Sequence, residues 1–120
     1  MHAITLVLVA VVALEHLYFL YLEMFAWTRP ATLRAFNITS SFAAESKAMA
    51  ANQGLYNGFL AAGLVWAIFA PPPLQRPLEI FFASCVFVAG IFGGFTVTRR
   101  ILLIQALPAA LCLISALVFG

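Results

Sequence analysis

The chain has 120 residues, 65% of them hydrophobic and 8% charged, with a net charge of +2 and a mean hydropathy of +1.08. Aspartate is absent, and so few charged groups do not make the surface of a soluble domain of this size. The small positive balance does not point to nucleic acid, because the basic residues fall where membrane topology calls for them.

Four apolar runs divide the chain, at about residues 3–27, 50–70, 78–98 and 101–119. Each is long enough to cross the ~30 Å hydrocarbon core of a bilayer as a helix. The expected fold is all-α, a single integral membrane domain over residues 1–120 built as a four-transmembrane-helix bundle. The first run lacks a basic leader and a small-residue cleavage site, so it reads as a membrane span and not as a cleaved signal peptide.

Near the middle of that first run lie Glu15 and His16, with Glu23 two turns further on. A charged side chain at the centre of a membrane helix costs at least ~2.5 kcal/mol, so such groups usually face a protein or water-lined interior. Together they mark a candidate site. Pro30 stops this helix or forces a turn after it. In the connection that follows, Asn37, Thr39, Ser40 and Ser41 are helix N-cap candidates. No proline intervenes between Ser41 and Phe69, so the second helix is predicted over residues 41–70, with Glu45 and Lys47 on its solvated first turns. A proline-rich loop (Pro71, Pro72, Pro73, Pro77) leads to the third helix, and a tight turn at Arg99 and Arg100 leads to the fourth.

These connections orient the bundle. Arg29, Arg34, Lys47, Arg99 and Arg100 lie on one side and Arg76 alone on the other, a positive-inside bias that puts the basic connections in the cytoplasm and both termini on the non-cytoplasmic side. The expected location is the bacterial inner membrane, with several passes. Helices rise ~1.5 Å per residue, so Glu23 lies ~12 Å closer to the cytoplasm than Glu15. Asn52, Gln53, Tyr56, Asn57, Thr96, Thr98 and Gln105 fall in the same cytoplasmic half, while the outer half is nearly bare of polar groups. This asymmetry predicts a polar pocket open to the inside.

Helix faces refine the pocket. At about 100° per residue, His16, Glu23 and Trp27 share one stripe within roughly 40°, and Glu15 lies about 100° round from His16. Tyr18 neighbours them on the same helix. Asn52 pairs with Tyr56 and Gln53 with Asn57 at four-residue spacing. Gly54 and Gly58, and separately Gly90 and Gly94, form small-residue ridges that let helices approach closely, either within the bundle or between copies in a homo-oligomer. Pro108 leaves the Ile104 carbonyl without its helical donor, beside Gln105. Cys85 and Cys112 read as small packing residues.

Three stretches carry a family resemblance. Glu15-His16-Leu17-Tyr18-Phe19-Leu20-Tyr21-Leu22-Glu23-Met24-Phe25-Ala26-Trp27 resembles the first signature of the DUF1304 family of small bacterial membrane proteins. Asn52-Gln53-Gly54-Leu55-Tyr56-Asn57-Gly58-Phe59-Leu60-Ala61-Ala62-Gly63-Leu64 is similar to its second. Gln105-Ala106-Leu107-Pro108-Ala109 resembles its third, where the family tends to have glycine in place of Ala106. The resemblance covers nearly the whole chain and implies a four-helix membrane protein. It implies no reaction.

The expected activity is acid/base chemistry on a lipophilic small molecule, of the isomerase, epoxide-opening hydrolase or cyclase type. Glu15, His16 and Glu23 are the proton-transfer candidates, since a general acid or base must be titratable near the working pH. Tyr18, Trp27, Asn52, Gln53, Tyr56, Asn57 and Gln105 are the candidates for binding substrate. Two alternatives stand beside this reading. A small proton-coupled exporter of the multidrug type also carries a membrane-embedded glutamate in its first helix, but the surrounding signatures differ. A non-catalytic binding or structural protein would use the same side chains as a hydrogen-bond network. No metal or cofactor is expected: one intramembrane histidine with two glutamates falls short of a zinc site, and His2 lies at the other end of the segment.

Overall fold

The computed structural model describes residues 2–120, and its regular structure is entirely helical among them. Helix α1 spans His2–Phe25. Two short helices follow, α2 (Pro30–Phe36) and α3 (Ser40–Glu45). The long helices α4 (Lys47–Phe69) and α5 (Pro72–Thr96) come next. A widened turn of π-helix over Leu102–Ala106 then leads into α6 (Leu107–Phe119). Three stretches, His2–Phe25, Pro72–Thr96 and Leu102–Phe119, are long and apolar enough to cross a membrane. Helix α4 is of similar length, but Asn52, Gln53, Tyr56 and Asn57 make its first half polar.

The connection between α1 and α4 is more structured than a capped extension of the second helix. Pro30 occupies the first turn of α2, where its missing N–H removes no helical bond. Asn37 ends α2 in the left-handed region (φ 53°), which asparagine tolerates better than most residues. Of the predicted caps, Thr39 fills the role: its Oγ1 accepts the Phe42 N–H at 3.1 Å. The single helix expected over 41–70 is interrupted at Ser46 (φ −93°, ψ 5°). Ser46 Oγ donates to the Phe42 carbonyl at 2.7 Å, the local side-chain bond by which serine competes with helical geometry.

Helix α5 starts six residues earlier than the sequence reading placed it. Prolines 72 and 73 lie in its first turn, where backbone donors have no intrahelical acceptor, so they begin a helix as readily as they end one. The widened turn before α6 has the same chemical origin. The proline ring at 108 and its missing N–H disturb the ladder one turn upstream, and Leu107 N–H bonds to Leu102 O, five residues back.

Packing divides the chain into two compact units. One comprises the segment ending at Leu14 together with Leu60–Gly120, and the other is Glu15–Phe59. The core of the first is built from Val9, Val12 and Ala13 of α1, Leu64 of α4, Ala83 and Val86 of α5, and Ala109 and Cys112 of α6. These are mostly small or β-branched side chains, as helices in lipid associate by close van der Waals fit without a hydrophobic drive. Gly90 is the tightest point: a Cβ there would lie 2.6 Å from the Ala106 nitrogen and 2.8 Å from its Cα. In the second unit, a Cβ at Gly54 would lie 2.6 Å from Met24 Cγ and 3.2 Å from the Leu20 carbonyl. Gly58 meets Leu20, and Gly94 meets Leu102. The glycine ridges considered as oligomer faces are therefore occupied by neighbouring segments of the same chain. Large apolar side chains, including Val7, Leu14, Phe69, Phe92, Leu103 and Val118, are exposed along the helices, consistent with a lipid environment.

Candidate functional site

Within the unit Glu15–Phe59, the second half of α1 supplies Glu15, His16, Tyr18 and Glu23. Glu15 is half-buried, and its Oε1 is shielded from solvent with no hydrogen-bond partner among the described residues. His16, next to it, is completely buried and packs edge-on against the Phe19 ring at 5.3 Å. Two turns on, Glu23 is half-buried and its Oε1 accepts a 2.6 Å hydrogen bond from Asn57 Nδ2 of α4. The close approach that Gly54 permits between α4 and the Leu20–Met24 turn brings Asn57 within reach, since Asn57 lies three residues further along α4.

Trp27 closes this end of the unit. Its Nε1 donates to Ser46 Oγ at 3.1 Å, and its ring stands edge-on to Phe36 at 5.0 Å. Thr32 Oγ1 donates to the Ala26 carbonyl at 2.6 Å and is itself buried. The break at Ser46 thus has a purpose beyond the helix it ends: it presents a hydroxyl that donates to Phe42 and accepts from Trp27.

The remaining predicted residues are distributed differently. Tyr18, Asn52, Gln53 and Tyr56 are exposed, the last with its ring 6.2 Å from that of Phe59. Gln105 is half-buried on the widened turn, in the other unit. Asn57 is thus the buried member of the four polar residues on α4. One turn of helix separates Gln53 from Asn57, yet only the latter reaches a carboxylate.

The sequence reading passed over Glu79. It is completely buried near the start of α5, and its Oε1 accepts a 2.8 Å contact from His2 Nε2 at the start of α1. Its Oε2 is buried with no hydrogen-bond partner among the described residues. Thr5 Oγ1 and Ser115 Oγ form a buried 2.6 Å hydrogen bond in the same unit. A carboxylate at the edge of the third apolar run, matched by a histidine at the beginning of the first, was the available signal.

The site and fold define a small all-helical protein with three helices suited to a membrane and ionisable side chains buried or half-buried along the first of them. Residues 10–117 match the family described as "Protein of unknown function (DUF1304)", and the chain belongs to that family. It is also similar to the uncharacterised protein YpaA of Lactococcus lactis subsp. lactis, with 35% identity over 118 residues that cover 97% of this chain and 98% of the relative. No solved structure matches.

Proposed function

We propose that the chain is a four-span protein of the bacterial plasma membrane, with its basic connections in the cytoplasm, that performs acid/base chemistry on a lipophilic small molecule at Glu15. The observation that carries this reading is the Glu15 carboxyl, which has a shielded oxygen with no hydrogen-bond partner among the described residues, beside the fully buried His16. A carboxyl used only for structure is expected to have its oxygens bonded, as Glu23 is to Asn57. Glu15 instead keeps an acceptor site for a proton or for a substrate hydroxyl.

Leu14, Leu17 and Tyr18, the neighbours of Glu15 on α1, are exposed apolar or amphipathic side chains. A hydrophobic molecule dissolved in the bilayer would reach the carboxyl laterally along them. Glu23 and Asn57 then serve to fix α4 against α1, as a positioning pair. The reactions that fit need only a proton taken and returned: double-bond isomerisation, epoxide opening or cyclisation. Helix α4, with 23 residues, is about 34 Å long and would supply the fourth span.

The test is comparative analysis of lipid extracts from a bacterial host expressing the wild-type chain or Glu15→Gln at equal levels in the membrane. A lipophilic species that is consumed with the wild type and accumulates with Glu15→Gln supports the reading. Identical extracts overturn it; if Glu15→Gln then also abolishes resistance to a toxic lipophilic cation, the same carboxyl serves proton-coupled export.

A further inference from the structure

The end of the molecule that holds Glu79 has no part in the proposal above. Three helix termini meet there: the start of α1 through His2, the start of α5 through Arg76 and Glu79, and the end of α6 through Ala116 and Leu117. A cleft of about 550 Å³ opens between them, with His2, Arg76, Pro73 and Phe119 among its walls.

Two side chains in this cleft are held in place from behind. Arg76 donates from Nε to Ala116 O at 3.1 Å and from Nη2 to Leu117 O at 2.9 Å. Those carbonyls belong to the last turn of α6, where Ala116 O also accepts the Gly120 N–H at 3.0 Å, and the guanidinium caps the helix there. A guanidinium has five N–H donors, and these two bonds leave the Nη1 edge without a partner among the described residues. Its bonds are to carbonyls and not to a carboxylate. His2 is fixed through Nε2 by the buried Glu79, which leaves Nδ1 as the second polar position of a ring that lines the cleft. Glu79 itself is shielded completely and does not face an incoming ligand.

We propose that this cleft binds the phosphate group of a bilayer phospholipid, with Arg76 as the main contact and His2 as the second. An oriented guanidinium beside a histidine braced by a carboxylate is suited to a phosphate oxyanion. The choice of a lipid over free phosphate follows from depth. All three converging termini belong to stretches long and apolar enough to cross a membrane, and such helices end where hydrocarbon gives way to headgroups. Exposed Val118, Leu117 and Phe119 at the rim offer surface for the acyl chains.

Native mass spectrometry of the full chain in detergent tests this, with phosphatidylglycerol as the probe. Diacylglycerol with the same acyl chains and inorganic phosphate are the comparison ligands. Binding of phosphatidylglycerol should be much tighter than that of diacylglycerol and should resist millimolar inorganic phosphate. Arg76→Gln should weaken it roughly tenfold, the loss expected for a charged hydrogen bond. His2→Gln should weaken it less, because glutamine still offers Glu79 a donor but removes the imidazole. Arg100→Gln, at the tight turn after α5, should leave it unchanged. Equal affinity for diacylglycerol, displacement by inorganic phosphate, or an equal loss with Arg100→Gln overturns the proposal. Should Arg76→Gln fail to fold through loss of the α6 cap, an unchanged affinity in His2→Gln also overturns it.

Discussion

Asn57 Nδ2 donates to Glu23 Oε1 at 2.6 Å, and this bond joins α4 to the second half of α1 through two side chains 34 residues apart. It converts a half-buried carboxylate from a liability into a tie. Asn57→Leu is expected to lower the unfolding free energy by about 1 kcal/mol, within the range measured for polar pairs between membrane helices. Asn52→Leu and Gln53→Leu, at exposed positions, should change it little. Equilibrium unfolding of the three variants in mixed micelles provides the measurement.

Glu15 behaves in the opposite way. Its shielded Oε1 has no hydrogen-bond partner among the described residues, so replacing the carboxyl with an amide of the same shape should leave stability unchanged or raise it. Activity should be lost at the same time. Thermal unfolding of Glu15→Gln beside the lipid-extract comparison separates the two effects. A large fall in melting temperature would assign Glu15 to structure.

Gly90 and Gly93 make an internally controlled pair on α5. A methyl at Gly90 collides with the backbone of Ala106, whereas one at Gly93 meets only the Ile101 side chain at 3.4 Å. Gly90→Ala should destabilise by about 1–3 kcal/mol through overpacking. Gly93→Ala should be near neutral, because alanine favours the helix by up to about 1 kcal/mol and offsets a mild contact. The same unfolding assay reads both.

The pair His2 and Glu79 should show coupling. Removing the imidazole with His2→Ala leaves a wholly buried carboxyl without that partner, a change expected to cost about 1–3 kcal/mol. In a Glu79→Leu background the same His2→Ala change should cost much less, since no buried carboxyl remains. A double-mutant cycle measures the difference, and additive effects would mean that the 2.8 Å contact contributes nothing.

Topology has its own test. Single cysteines introduced at Ala35 and Gln75, in a background with Cys85 and Cys112 changed to alanine, should label from opposite sides of the membrane, Ala35 from the cytoplasm. Labelling of both from one side would remove α4 as a spanning helix.

Composition and local chemistry were enough to establish that this chain is helical and suited to a membrane through long apolar runs, and three stretches of sequence carried the resemblance to its family. They also placed Thr39 among the helix caps, because capping depends on a few adjacent residues. The same local rules read the proline-rich stretch as a loop, although proline starts helices as well as ending them, and only the folded chain shows α5 beginning at Pro72.

What the tertiary structure alone decided is which polar groups have partners. Asn57 is bonded and Gln53 exposed, although both are on one helix a turn apart and chemically alike. Glu79 is buried behind His2 across 77 residues of sequence, and Gly90 is pressed against Ala106. In a soluble protein the apolar face of a helix marks the inside. Here lipid is as apolar as the interior, so hydrophobic pattern does not say which face of a helix meets another helix. That choice depends on where small residues allow close approach between segments far apart in the chain, and it determines which carboxylates are tied and which are left to act.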